Sequence, residues 1–271
     1  MKVLDVYSKE DLDLFTDKGQ SIESMMDSFF LNFPSSYREN YDKNIETLEI
    51  YRVDEMIDPN DSAEYFPVSN VLMFKSFAAI PHELMHMTSY DRVKEKTAFM
   101  HSGISSLVEN ALYEGMTEYL SCVAKNGHPN TYFFEYFVVS MLSDIDGIFE
   151  PYFIPSYNKF ISLFPNKKDI ISLMYALENY QNRINILTDD SSELEIAMVD
   201  DCVKSVIDNL IDIELSFNKN KLERKIYADK FMGLIANPDL KSLVSDVSPE
   251  YLDYAHHEVK KRILGRKRWV S

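Results

Sequence analysis

The sequence predicts an α+β fold that is predominantly helical, on three observations. Two short apolar stretches that read as strands lie before residue 76, at 45–53 and 70–75. From Thr131 onward the chain is nearly continuous amphipathic helix. With 271 residues, 45% of them apolar, it can bury a core as a single domain of two lobes, 1–125 and a helical 126–271.

Taken in order, Ser8 followed by Glu10 and Asp11 reads as a helix start, with Leu12, Leu14 and Phe15 as its apolar residues. A second helix covers 21–30 and stops before Pro34. Ile45, Leu48, Ile50, Tyr51 and Val53 supply a strand, Asp58-Pro59-Asn60-Asp61 a turn, and 70–75 a second strand. The polar run 88–96 and the region of His101 connect two further helices, the later of them at 104–124, with Leu107, Ala111, Met116, Leu120 and Val123 apolar and Glu109 facing solvent. Asn126-Gly127-His128-Pro129 ends that helix. Helices follow at 132–141, rich in core aromatics, and at 169–186, 194–217, 222–235 and 249–264.

A net charge of −16 argues against nucleic acid as a partner. Cys122 and Cys202 are too few for a disulfide framework and read as buried free thiols. No apolar leader opens the chain and no stretch reaches membrane-span length, so the expectation is a cytoplasmic protein, with signal-less export left open and no oligomeric state specified. Lys260, Lys261, Arg262, Arg266, Lys267 and Arg268 make the last residues basic. They read as a solvated helix end, with a tail folding back onto the acidic body, or touching anionic lipid or a partner, as alternatives.

Chemistry concentrates in two stretches. Pro81-His82-Glu83-Leu84-Met85-His86 carries the pattern H-E-x-x-H. Positions four apart share a helix face, so His82 and His86 can aim at one metal ion, while Glu83, turned by about 100°, reaches a water beside it. The donor types suit Zn²⁺, one per chain, and Glu114 is the best candidate for a third ligand. The competing account is a helix with one hydrogen-bonded histidine and two solvated polar residues. It has to explain polar groups set among Leu84, Met85 and Met87, where chance placement costs desolvation energy.

Together with Tyr113-Glu114-Gly115-Met116-Thr117-Glu118-Tyr119, the motif resembles the gluzincins, the thermolysin-like zinc metallopeptidases. It is also similar to small bacterial peptidase-like proteins with an E-G-x-T-E-Y motif. The likeness covers about residues 70–125 and implies a zincin-like core. It implies His82, His86 and Glu114 as ligands, Glu83 as general base and Glu118 as the hydrogen-bond partner of His82, acting on a peptide or protein substrate. It further implies that the strand Val71, Leu72, Met73, Phe74 and Lys75 edges the cleft and pairs with substrate, whereas the residues themselves fit a buried structural strand equally well. A downstream residue should steady the oxyanion, with His128, Tyr132, Tyr180, Arg183, Tyr254, His256 and His257 as candidates. Pro81 departs from the usual unbroken helix, so the helix either starts near 78–81 or kinks there. The metzincin pattern is excluded, because its third histidine would fall on Arg92. The alternative to a peptidase is a zincin-fold metal-binding or scaffold protein that no longer cuts.

Overall fold

Four short strands set the frame. These are β1 (Val3–Tyr7), β2 (Glu49–Val53), β3 (Ala63–Phe66) and β4 (Val71–Phe74), hydrogen-bonded in the order β1-β2-β4-β3. The β2–β4 pair is parallel, and β1 and β3 flank it antiparallel. Alternation places Leu72 and Phe74 of β4 and Ala63 and Tyr65 of β3 inward, with Ile50 of β2 opposite Leu72. The computed structural model describes residues 1–8, 11, 21–59, 61–100, 109–188, 190–217, 219–245 and 247–265, and these form an α+β fold that is mostly helical.

The chain clusters into two compact units. The first comprises Met1–Ile104, Thr117–Pro129 and Phe149–Tyr157, and the second Ser105–Met116, Asn130–Ile148 and Asn158–Ser271. In the first, α1 (Ile22–Phe30) begins at Ser21, whose hydroxyl accepts the Ser24 N–H. Its Ile22, Met25, Met26, Phe29 and Phe30 fall on one helical stripe and are buried. Phe29 and Phe30 meet Phe153, against which Tyr37 stacks at 4.9 Å. α2 (Glu39–Ile45) packs on α3 (Ile80–Ser89) and carries two buried asparagines. Asn40 donates to the Phe153 carbonyl, and Asn44 to the carbonyls of Met87 and Tyr90 at the end of α3.

In the second unit, α8 (Lys167–Ile184) and α9 (Glu193–Ser216) pack along each other. α9 opens with a reciprocal Ser192–Glu195 cap and α10 (Lys221–Ile235) with an Asn220–Glu223 cap. α5 (Phe133–Leu142) buries Phe134 against Tyr180 and Phe137 against Phe231. Past the short helices α7 (Tyr157–Ser162) and α11 (Pro238–Val244), α12 (Tyr251–Glu258) continues into a π-helical turn, Val259–Ile263. There Arg262 bridges Asp208 and Asp212, so this part of the basic end folds back onto acidic residues.

Several expectations change. The strand expected over 45–53 is shorter, because Ile45 closes α2 and pairing starts at Glu49. β1 and β3 were not expected. Glu109 is 4% exposed rather than facing solvent. Its carbonyl accepts the Tyr113 N–H, which puts it at the N-terminal mouth of α4 (Asn110–Lys125), where a carboxylate meets the positive end of the helix dipole. Val123, expected on the apolar stripe, is 44% exposed, and Cys202 is only partly buried. Asn126, with φ 47°, takes the left-handed position that ends α4, ahead of the glycine. Leu12, Leu14, Phe15, His101, Leu107 and Arg266–Arg268 lie outside the described residues. Among the described residues, no helix is long and apolar enough to cross a membrane.

Candidate metal centre

α3 starts at Ile80, so Pro81 sits in its first turn, where its missing N–H costs nothing and the register of His82 and His86 is kept. The two imidazoles converge, with Nε2 of His82 and Nε2 of His86 3.0 Å apart. Each ring has its other nitrogen beside a protein oxygen. Nδ1 of His82 lies 2.8 Å from Glu118 Oε2, and Nδ1 of His86 lies 3.4 Å from Thr117 Oγ1. Glu118 is 1% exposed, and its second oxygen takes the Cys122 thiol at 3.6 Å and Lys125 Nζ at 3.8 Å. A carboxylate so placed accepts the Nδ1 proton of His82 and leaves a bare Nε2 lone pair facing inward.

Glu114 and Glu118 stand four apart on α4 and share a face of that helix. Ligand atoms of His82, His86 and Glu114 all lie within 4.8 Å of one another, and all three residues are partly exposed. Tetrahedral zinc with bonds of about 2.0–2.1 Å separates its ligands by about 3.3 Å. The two Nε2 atoms stand as close as two ligands of one ion, or as a donor and acceptor sharing one ring proton. With a Glu114 carboxylate oxygen within 4.8 Å of a ring nitrogen of both histidines, the set suits a divalent metal in donor type and in distance.

Within the second unit, Glu114 has further carboxylates near it. Glu135 is buried at the start of α5, and loss of solvent, with Glu114 and Glu178 adding to it, pushes its carboxyl up to about 7. Glu178 is raised by burial too, although its Oε2 accepts the Ala111 N–H at the first turn of α4. A cation at Glu114 relieves that crowding of carboxylates. Gly115, between the motif's carboxylates, lets α4 approach α5. A Cβ there would stand 2.7 Å from the Glu135 carbonyl oxygen.

Glu83 is 8% exposed and turned toward the sheet, where its Oε2 accepts the Tyr65 backbone N–H at 2.9 Å. That contact identifies the strand beside the site. The expectation that Val71–Lys75 edges the cleft is corrected, because β4 is interior, paired to β2 on one side and β3 on the other. Its backbone groups are spent within the sheet. The edge on that side of the sheet is β3, and Tyr65 N–H points away from β4 toward Glu83.

No family model, no curated protein and no solved structure matches this chain.

The candidates for an oxyanion group have local surroundings of their own. His128, His256 and His257 are exposed. Tyr132 takes a left-handed backbone, φ 50°, just before α5. Tyr180 is fully buried, 4.4 Å from Phe134. Arg183 reaches Met198 Sδ, and Tyr254 donates to Asp208. The residues that sequence reasoning missed are Thr117, Tyr152, Glu135 and the Tyr65 N–H. Thr117 alone had a signal, because it shares the face of Glu114 at three residues' spacing.

Proposed function

We propose that this protein is a zinc-dependent metallopeptidase with a zincin-like core, acting on peptide or protein substrates in the cytoplasm. The observation that carries this reading is the inward pairing of the His82 and His86 Nε2 atoms, with Glu114 beside them. When bound by these three residues, zinc supplies a Lewis acid that acidifies a water and polarises a peptide carbonyl. Glu83 takes the water's proton as the oxygen attacks the carbonyl carbon, and returns a proton to the leaving amine nitrogen. The Tyr65 N–H holds the Glu83 carboxylate in one orientation for both transfers. Substrate lies extended along the outer side of β3, whose neighbour on the other side is β4.

The test is cleavage of unstructured protein and mixed peptides by zinc-loaded protein. Chelation should abolish cleavage and zinc should restore it. Glu83→Gln should keep the metal and lose about 10²-fold or more in rate. Stoichiometric zinc without cleavage of any substrate would favour the metal-binding scaffold instead.

A further inference from the structure

An imidazole that binds metal through Nε2 must carry its proton on Nδ1, and a partner at Nδ1 decides whether it does. For His82 the partner is a carboxylate, which only accepts. For His86 it is the hydroxyl of Thr117, at 3.4 Å. A hydroxyl is ambivalent: it can accept from Nδ1–H, or donate to bare Nδ1 and so favour the tautomer that cannot bind metal through Nε2. The contact is long for a hydrogen bond, yet at that range two facing lone pairs still repel and the choice of tautomer still matters.

The Thr117 hydroxyl has a second polar neighbour in Tyr152, and either oxygen can donate to the other. The Tyr152 phenol oxygen lies 2.8 Å from Thr117 Oγ1, and both side chains are fully buried. The three residues come from separate elements, α3, α4 and the helical turn α6 (Glu150–Phe153). Around Tyr152 the aromatic cluster is close, with Phe153 at 5.2 Å in edge-on contact.

We propose that Thr117 and Tyr152 form a hydroxyl relay that fixes His86 in its metal-binding tautomer. The Thr117 proton is directed to Tyr152, and the Thr117 lone pair is left to the His86 Nδ1–H. Both are positioning residues, since neither reaches the metal or the reacting atoms. The relay is the counterpart for His86 of the carboxylate on His82, and it accounts for a threonine inside the second motif. The inference rests on the zinc-centre reading.

The experiment measures zinc affinity by chelator competition, together with the His86 ring tautomer by long-range ¹⁵N–¹H correlation of the metal-free protein. Thr117→Val, which keeps the shape and deletes the hydroxyl, should weaken zinc about 10–100-fold and mix the His86 tautomers. Thr117→Ser should restore both to near wild type. Tyr152→Phe should weaken zinc about tenfold, and adding it to Thr117→Val should cost nothing further, because its effect passes through the hydroxyl. Wild type that binds one zinc, with Thr117→Val binding as tightly, overturns the relay and leaves the metal centre standing. Additive losses in the double variant also overturn it. Wild type that binds no zinc overturns both. If Thr117→Val does not fold, Tyr152→Phe reads the relay from its other end, and unchanged affinity there overturns it.

Discussion

His82 and His86 face each other, Nε2 to Nε2 at 3.0 Å, while Glu118 and Thr117 sit against the two Nδ1 atoms. Both rings are thereby turned so that their Nε2 atoms converge on one point. Helical spacing alone puts two histidines on a face, but it does not choose their tautomers. The partners on α4 do.

Gly115 is a packing requirement of that helix. A Cβ would stand 2.7 Å from the backbone oxygen of Glu135 and 2.8 Å from its carbonyl carbon, and backbone cannot step aside cheaply. Gly115→Ala should therefore destabilise the protein by about 1–3 kcal/mol, despite the helix-propensity gain of about 1 kcal/mol from replacing glycine. Chemical denaturation reads this directly. A variant as stable as wild type would mean that α4 and α5 are not this close.

Asn44 ties the end of α3 to α2 through two 2.9 Å bonds to the Met87 and Tyr90 carbonyls. Asn44→Ala leaves both buried acceptors without that donor, at a cost of about 1–3 kcal/mol. Urea unfolding should show a lower midpoint with an unchanged slope. No change in midpoint would remove Asn44 from the support of the helix that carries His82 and His86.

Glu135 makes stability depend on pH in a definite direction. Its carboxyl is pushed up from 4.5 to about 7, first by burial and then by Glu114 and Glu178. Between those values the unfolded chain has released a proton that the folded chain keeps, so stability falls as pH rises through the window. The penalty is complete above about pH 7. In metal-free protein, Glu135→Gln should gain stability relative to wild type as pH rises from 4.5 to 7, measured as melting temperature against pH. Parallel curves for the two proteins would contradict the shift.

The helices were legible because their apolar positions recur with the right period over ten or more residues, as in α8, α9 and α10. β3 has four residues and β1 leaves Val3, Leu4 and Val6 exposed, so neither gives an alternating pattern to read. The interior place of β4 follows from strand order, and local sequence does not encode strand order. The clustering of His82, His86 and Glu114 and the contact of Glu118 with His82 were legible because residues four apart on a helix share a face. Tyr65 is 18 residues from Glu83, and Tyr152 is 35 from Thr117. Such contacts arise only when the chain folds, and no local pattern announces them.

The most direct test of the account is zinc per chain, by elemental analysis of protein purified without added metal, for wild type and Glu114→Ala side by side. The account predicts one zinc in wild type and little in the variant. Little zinc in wild type even after reconstitution, or a full complement in Glu114→Ala, would contradict the His82, His86 and Glu114 centre.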